Sequence, residues 1–421
     1  MARPSRRGAP RARPAFLALL APLAVLLPGC WGEPPAPPPQ HALVLVGLDG
    51  FRADYLDSLP APNLRALAAR GVRAERMIPS FPSKTYPNHF TLVTGRYPAG
   101  HGIVANDMYD PALDAWFSLE DRASVRDARW WQAEPVWVTA ERRGLRTAPL
   151  DWPGSEAPIG GIRPAAWEPY DHGRPPAARV RRLLDLLAQP PAERPRFLTL
   201  YLHEVDDAGH DFGPGSPELA AAVAEVDAAV GELLAGLERL GLAGTTDVVA
   251  VADHGMASTP PEHAIFLDDL IDPAVARVVT WSPVLQLWPP DEQVEPTLAR
   301  LRGAHPRLAV YGRGELPRRL RYSGNARIPP IVALADEGWY VTTRAEAAEH
   351  APDAGEHGYD PALASMGALF VAAGPSFRTG VVLPPFENVQ VYPMLCSALG
   401  VPPVPGDWTL EEAPAALRSR R

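Results

Sequence analysis

The chain has 421 residues, 46% of them hydrophobic, which is enough for one large α/β domain or two ordinary domains and argues against general disorder. Its formal net charge is −9, and removing the five arginines of residues 1–29, a segment without acidic residues, leaves −14. Such an acidic domain repels polyanions, so we expect no nucleic-acid polymer as a partner. The sequence shows no sign of an obligate protein partner.

The N-terminal segment is predicted to be a targeting signal. Five arginines precede the apolar run 15–27, and small residues follow before Cys30. This order is typical of a lipoprotein signal, so we predict a signal peptide over 1–29 and a lipid on Cys30. The alternative, an uncleaved membrane anchor, is disfavoured because spanning a bilayer takes about 20 apolar residues. The expected location is exported, periplasmic or cell-envelope, with membrane contact only through this anchor.

The next segment, 30–41, is rich in proline and predicts an extended linker that precedes a folded domain over 42–405. The only cysteines are Cys30 and Cys396. No intrachain disulfide can form if Cys30 carries lipid.

Several apolar runs of the folded domain end in polar residues. The runs 42–48, 197–202, 247–252 and 368–373 predict strands, and apolar residues at helical spacing predict helices over 61–70, 180–188 and 217–240. This alternation predicts an α/β fold with a doubly wound, mostly parallel sheet and helices on both faces. The stretch of about 263–349 has short apolar pieces and many prolines and is predicted to be an insert or cap. Residues 406–421 are predicted to be a C-terminal tail.

Five candidate metal ligands follow or lie near the predicted strand ends, and His357, in the segment 355–359, joins them. The six are three carboxylates and three imidazoles, a mixture that suits zinc and neighbouring transition metals better than magnesium or calcium. A single His or Asp is more often structural, but independent residues have no reason to gather at one sheet edge. Six ligands can fill two sites, and two ions can clamp the attacking and leaving oxygens of a displacement at phosphorus. The six are Asp49, Asp206, His210, Asp253, His254 and His357.

Thr85 is the candidate nucleophile. Pro82 and Pro87 predict a tight entry into a helix, where free backbone N–H groups and the helix dipole stabilise an alkoxide or a phosphate. A threonine hydroxyl attacks only when a metal or base lowers its pKa. The alternative role, a plain helix cap, is compatible with catalysis. Beside it stands Lys84, the only lysine among 40 basic residues, which we predict to act on the substrate because lysine and arginine are not interchangeable as point charges.

These residues resemble a known family, the nucleotide pyrophosphatase/phosphodiesterases of the alkaline phosphatase superfamily, in their bacterial type. The resemblance runs through the segments 45–52, 81–89, 94–98, 101–103, 206–210, 252–256 and 357–360. It implies an alkaline phosphatase-like fold and a hydrolase that opens phosphodiester or pyrophosphate bonds of nucleotides through a phosphothreonine intermediate on Thr85. It also implies that Asn106 donates to a phosphate oxygen.

The resemblance further implies how two zinc ions are shared among the ligands. One ion would be held by Asp206, His210 and His357. The other would be held by Asp49, Asp253 and His254, with Thr85 completing its shell. Asp207 is expected to be a neighbour of the site, and the remaining histidines, among them His89, His172, His203 and His350, are not assigned to metal.

The expected substrate is a small nucleotide, because Tyr86 and Tyr170 stand where nucleotide-cleaving members sandwich a base. Tyr201 is expected to line the same pocket by its hydroxyl. The alternatives are a lysophospholipid or choline-type phosphodiesterase and a phosphonoacetate hydrolase. A further alternative of another class is a lipid-anchored metal-binding module without catalysis.

Overall fold

The structure, a computed structural model, describes residues 41–409 and 416–418. The predicted signal peptide, the lipidation at Cys30 and the linker up to residue 40 lie outside the described residues. Among the residues that are described, none of the helices combines the length and the apolar character that crossing a membrane requires.

The strands of the described residues are, in chain order, β1 (Ala42–Leu48), β2 (Val72–Ala74), β3 (Met77–Ile78), β4 (Asp107–Asp110), β5 (Ala115–Ser118), β6 (Thr147–Pro149), β7 (Phe197–Leu202), β8 (Thr246–Val251), β9 (Ala257–Ser258), β10 (Ala264–Phe266), β11 (Arg277–Thr280), β12 (Val284–Trp288), β13 (Leu308–Gly312), β14 (Ile331–Ala335), β15 (Tyr340–Thr342), β16 (Gly355–Glu356), β17 (Phe370–Ala373), β18 (Val381–Leu383) and β19 (Phe386–Glu387).

The α-helices of the same residues are α1 (Tyr55–Ser58), α2 (Pro62–Arg70), α3 (Thr85–Thr94), α4 (Pro98–His101), α5 (Arg122–Arg126), α6 (Val136–Glu141), α7 (Pro176–Leu187), α8 (Glu204–Phe212), α9 (Pro217–Arg239), α10 (Leu267–Leu270), α11 (Asp291–Leu301), α12 (Arg344–Glu349) and α13 (Val391–Leu399).

Seven strands form the central sheet in the order β18-β2-β17-β8-β1-β7-β6. β1 pairs in parallel with β7 and with β8, and β6 pairs in parallel with β7. All seven residues of β1 are buried, as expected for a central parallel strand covered on both faces. The predicted fold class, α/β with a mostly parallel sheet, is confirmed.

The direction expected for one predicted strand is wrong. The run 368–373 was expected to be parallel like the others, but β17 pairs antiparallel with both β8 and β2. Its C-terminal end, at Gly374, therefore lies at the opposite edge of the sheet. An apolar run shows that a strand is buried but carries no information about its direction.

Two groups of helices pack against the sheet. In one group α2, α7 and α8 each contact α9, while α7 contacts β7 and α2 contacts β17. In the other group α13 contacts α3, α6 and β1. In α7, Val180, Leu183 and Leu187 are buried on one face at helical spacing, which is why this segment forms an amphipathic helix.

A second, smaller sheet lies within the region of the predicted insert at 263–349. It is antiparallel, with strand order β11-β12-β14-β13. Its apolar core is separate from the main one and includes Leu285, Leu287 and Ile331. In the predicted tail, Ala416 is buried, and Leu417 forms an isolated bridge with Phe377. The domain boundaries at 42–405 and 406–421 stay predictions.

Candidate active site

The central strands β8, β1 and β7 are neighbours, so their carboxyl ends adjoin. Asp49 directly follows β1, and Asp253 and His254 follow β8. Helix α8 is separated from the end of β7 by one residue and carries Asp206 and His210 one turn apart on the same face. The sheet topology thus gathers at one edge residues that are far apart in the sequence.

The six candidate ligands form two compact groups. In each group, one nitrogen or oxygen atom from every residue lies within 4.8 Å of the others, the distance range in which a metal ion can be shared. The rings of His254 and His357 stack with centroids 3.6 Å apart, so the two groups adjoin. One group is Asp206, His210 and His357, and the other is Asp49, Asp253 and His254.

The hydrogen bonds of the three imidazoles fit metal binding. His357 Nδ1 lies 2.8 Å from the Ser83 carbonyl oxygen, His210 Nδ1 2.9 Å from that of Gly355, and His254 Nδ1 3.0 Å from its neighbour's. A carbonyl oxygen can only accept, so each Nδ1 carries the proton and each Nε2 keeps its lone pair. Metal-ligating histidines are usually oriented in this way.

The carboxylates fit a cation as well. Asp49 Oδ1, Asp206 Oδ1 and Asp253 Oδ2 are buried and have no hydrogen bond of normal geometry among the described residues; each instead faces a histidine Nε2, at 3.5, 3.8 and 2.8 Å respectively. A buried carboxylate oxygen without a donor is costly unless a cation compensates it. The residues present therefore suit two divalent ions.

The electrostatics of the cluster without ions support this interpretation. Burial, and next the charge of Asp253, raise the pKa of Asp49 well above its usual range. Burial alone would also raise the pKa of Asp253, but adjacent His254 and His89 hold it well below. Burial, followed by the charge of His254, keeps the pKa of His357 well below its usual range. A divalent cation favours charged carboxylates and neutral imidazoles and so relieves the repulsion between neighbouring acids.

Thr85 is the first residue of α3 and lies at the mouth of this cluster. Its Oγ1 is 3.4 Å from His254 Nε2. Because α3 has ten residues, its dipole adds positive potential at the hydroxyl. The predicted nucleophile and the predicted ligands are therefore brought together.

Two residues that support Thr85 were not assigned from the sequence. Asn88 is fully buried and donates from Nδ2 to the carbonyl oxygens of Pro82 and Lys84, both at 2.9 Å. His89 Nδ1 lies 3.0 Å from the Thr85 carbonyl oxygen and 3.4 Å from Asp253 Oδ2. Both residues fix the first turn of α3 relative to the ligands. Their spacing of three and four residues from Thr85 was the only signal in the sequence.

Gly50 allows the end of β1 and helix α8 to lie close together, and this contact sets the distance between Asp49 and Asp206. Gly50 has φ +64°, and a Cβ there would lie 2.8 Å from Asp206 Oδ1 and 2.9 Å from its Cα. Its N–H also donates to Asp253 Oδ1 at 3.2 Å. A side chain at this position would push α8 away from the end of β1.

Lys84 lies at the edge of the site and forms an ion pair with Glu356. Its Nζ donates to Glu356 Oε2 at 3.1 Å, and the same oxygen accepts the His357 N–H at 3.0 Å. Gly358, with φ +115°, allows the lysine chain to pass, since a Cβ there would be 2.8 Å from Lys84 Cε. Lys84 therefore holds the segment that carries His357.

A cavity of about 310 Å³ opens beside Thr85. Tyr86 and Tyr170, the two predicted base-binding residues, both line it, as does Asn106, whose Oδ1 accepts the Tyr86 N–H at 3.0 Å. Tyr201 lines it with its ring, 5.8 Å from that of Tyr170. The Tyr201 hydroxyl donates to Asp49, so it orients a candidate ligand.

The same cavity wall contains His172, His203 and Asp207. A ligand atom from each lies within 4.8 Å of the other two. The sequence left both histidines unassigned and expected Asp207 to be only a neighbour of the site. The four-residue spacing of His203 and Asp207 was visible, but the approach of His172 depends on the folded loop.

Comparison with known proteins gives consistent results. Residues 43–360 match the family model described as type I phosphodiesterase / nucleotide pyrophosphatase. The bis(5'-adenosyl)-triphosphatase enpp4 of Xenopus laevis is 37% identical over 393 residues, 93% of this chain and 85% of the relative. Human ectonucleotide pyrophosphatase/phosphodiesterase family member 5 is 35% identical over 382 residues, 89% of this chain and 78% of the relative.

Among solved structures, murine ectonucleotide pyrophosphatase/phosphodiesterase 5, as an inactive variant in complex with AMP, is similar with a TM-score of 0.85 and 35% identity. The match covers 90% of this chain and 100% of the murine chain. These relatives come from animals, so they give no support to the bacterial type expected from the sequence.

Proposed function

The chain belongs to the type I phosphodiesterase/nucleotide pyrophosphatase family, and on that premise we propose that it hydrolyses a phosphodiester or pyrophosphate bond of a nucleotide and releases a nucleoside monophosphate. The observation that carries the proposal is the position of the Thr85 hydroxyl. It lies at the N-terminus of a helix, 3.4 Å from a nitrogen of one of two adjoining three-ligand groups.

The proposed cofactors are two zinc ions. Asp206, His210 and His357 would hold one; Asp49, Asp253 and His254, with Thr85, would hold the other. Their mixed nitrogen and oxygen ligands suit zinc. When bound, such ions lower the pKa of a coordinated hydroxyl and neutralise charge on phosphoryl oxygens.

Thr85 performs the first displacement. Its hydroxyl loses the proton, Oγ1 bonds to phosphorus in line with the leaving group, and the bond to the leaving oxygen breaks; the proton lost by Thr85 balances the charge left on that oxygen. The product is a phosphothreonine diester on residue 85. Water then attacks the same phosphorus, the bond to Oγ1 breaks, and one proton of the water passes to Oγ1 and restores the hydroxyl.

The phosphate is held by backbone and amide donors. The Thr85 N–H, the first of α3, is the backbone donor left for an anion bound next to the hydroxyl, because Pro87 has no N–H and the Asn88 N–H donates to the Lys84 carbonyl oxygen. Asn106 uses its Oδ1 to accept the Tyr86 N–H, which makes its NH2 group the side that donates to a non-bridging phosphate oxygen.

The nucleoside is proposed to bind between Tyr86 and Tyr170. Both rings line the cavity that opens at Thr85. Stacking suits every base because each has a π face. The AMP complex of the murine relative and the diadenosine substrate in the name of the frog relative support a nucleotide over the other phosphodiesters.

The proposal is tested with the purified protein and the nitrophenyl ester of thymidine monophosphate. We expect nitrophenol release by the wild type, a loss of at least about 10³-fold in kcat for Thr85→Ala, and partial activity for Thr85→Ser, which keeps a hydroxyl. Equal rates for wild type and Thr85→Ala would leave a metal-binding module without catalysis.

The substrate class is tested by competition among candidates. A nucleoside triphosphate, a lysophospholipid and phosphonoacetate are offered at equal concentration to the same preparation. We expect kcat/KM to be highest for the nucleoside triphosphate. A higher value for either of the others would assign the site to that alternative chemistry.

We also propose that the protein is exported as a periplasmic or cell-envelope lipoprotein, in keeping with relatives that are named as ectoenzymes. The mass of the mature N-terminus is the test. A diacylated Cys30, lost in Cys30→Ser, is expected, and a mature chain that retains residues 1–29 would refute cleavage.

A further inference from the structure

We propose that His172, His203 and Asp207 form a third divalent metal site, of a kind suited to zinc, in the wall of the cavity beside Tyr170. The three residues lie outside both ligand groups of the active site, and the inference does not rest on the proposed reaction. It rests on how closely one ligand atom from each residue approaches the other two.

The three ligand atoms lie close together, each within 4.8 Å of the other two. His203 Nδ1 is 2.7 Å and His172 Nε2 is 3.4 Å from the same oxygen, Asp207 Oδ2. His203 and Asp207 are four residues apart at the start of α8, which places them on one helix face. His172 arrives from the loop before α7, and its ring stacks on that of His203 with centroids 3.9 Å apart.

The second nitrogen of each imidazole is already bonded. His203 Nε2 lies 3.1 Å from the His172 carbonyl oxygen, which can only accept, so Nε2 donates to it. His203 Nδ1 is hydrogen-bonded to Asp207 Oδ2 at 2.7 Å, and an ion bound between these two atoms would take the place of the shared proton. His172 Nδ1 lies 3.1 Å from the Tyr170 hydroxyl oxygen, which can accept its proton and so leave Nε2 as the ligand. The three active-site imidazoles likewise bond a carbonyl oxygen with one nitrogen and turn the other toward the proposed ion.

The surroundings suit a cation that exchanges with solvent. His203 is mostly buried, whereas the side chains of His172 and Asp207 are 64% and 45% exposed, which leaves open positions for water or substrate. Two imidazoles and one carboxylate form a ligand set typical of zinc with an open position. We expect weaker binding here than in the active site, whose ligands are more buried.

Occupancy would connect two parts of the cavity. The loop that carries His172 also carries Tyr170, and α8 also carries Asp206 and His210. An ion held by both elements would fix the proposed base-stacking ring relative to the active site.

The test is zinc stoichiometry of the full chain, measured by elemental analysis after dialysis at stepped free Zn²⁺. Wild type should gain one ion per chain more than His172→Ala and Asp207→Asn at the highest free Zn²⁺. The comparison is a difference, so it does not depend on how many ions the active site holds. If these variants bind as much zinc as the wild type, the proposal is overturned.

Two further variants sharpen the result. His350→Ala removes an exposed histidine that pairs with Glu346 at 3.0 Å but belongs to none of the three-ligand groups found among the described residues, and it should bind as much zinc as the wild type. Tyr170→Phe removes the partner of His172 Nδ1 and should weaken the additional ion by about 10- to 100-fold. Loss of the ion in His350→Ala, or unchanged affinity in Tyr170→Phe, would count against the geometry.

Discussion

The active-site edge of the central sheet and the small sheet β11–β14 both contain buried charge, but they treat it differently. In the region of the small sheet, Arg327 is buried and uses four of its five N–H donors: it donates to Asp110 at 2.6 Å and to the carbonyl oxygens of Gly102, Trp130 and Arg129. At the active-site edge, Asp49, Asp206 and Asp253 each keep a buried oxygen that has no hydrogen bond of normal geometry among the described residues.

This difference separates structural charge from functional charge. Arg327 finds its partners within the chain and joins the region of the small sheet to the main domain. Each of the three aspartates keeps a buried oxygen that faces a histidine nitrogen without a normal hydrogen bond, the position where a cation would bind. A buried charge that protein groups do not satisfy is the more informative sign of a ligand site.

Removal of metal should have the largest effect. After exhaustive chelation we expect no measurable hydrolysis, full recovery with zinc, and a loss in the free energy of unfolding of about 2.7 kcal/mol for each bound ion, relative to protein with zinc at 100 times the Kd of each site. Amide hydrogen exchange should rise at the ends of β1 and β8 and stay unchanged in β12 and β14. Equal changes in both sheets would break the comparison.

Arg327→Met should have the second largest effect. It should lower the stability of the protein and leave the catalytic rate unchanged. It leaves the buried Asp110 carboxylate without its cation, which costs about 3–5 kcal/mol in unfolding free energy. The rate per folded, zinc-loaded molecule should be unchanged. The double variant with Asp110→Asn should recover part of the stability, and a failure to recover would show that the pair is not the cause.

Gly50→Ala should perturb the active-site edge more than the same change elsewhere. Gly303→Ala is the matched control, because Gly303 has φ +69° and a Cβ there would contact nothing within 4 Å. The control should lose about 1–2 kcal/mol from the backbone alone. Gly50→Ala adds overpacking against Asp206, about 1–3 kcal/mol more, and should weaken zinc binding. Both variants are compared with the wild type by thermal denaturation. Equal losses of stability in Gly50→Ala and Gly303→Ala would contradict the close contact between Gly50 and Asp206.

Lys84→Arg should have the smallest effect. The ion pair with Glu356 is partly exposed, so its loss should change stability by about 1 kcal/mol or less. A bulkier, planar cation should displace the segment of His357 and lower kcat by about tenfold, or 1.4 kcal/mol. Steady-state kinetics measure the change in kcat, and thermal denaturation measures the change in stability. Normal turnover of Lys84→Arg would show that the lysine has no role in the site.

The sequence predicted much of the fold and singled out the six candidate ligands that the structure brings into two groups, because the relevant signals are local. An apolar run followed by Asp49, or by Asp253 and His254, shows both a buried strand and what stands at its end. The direction of β17 could not be predicted, since pairing is decided by its neighbours in the folded sheet. The short strands of the small sheet were also missed, because proline-rich segments of four or five residues show little periodicity.

Contacts between distant residues were the other gap. The bond from Tyr201 to Asp49 joins two adjacent strands whose partners are known only in the folded sheet. His172 reaches His203 and Asp207 through an irregular loop, and no repeat or spacing indicates that approach.

The central claim, attack by Thr85 on phosphorus, is tested most directly by stereochemistry. A nucleotide ester made chiral at phosphorus with sulfur and oxygen isotopes is hydrolysed in labelled water, and the configuration of the product is determined. Two successive in-line displacements, first by Thr85 and then by water, predict overall retention. Inversion would mean that water attacks the substrate directly, and it would contradict the account.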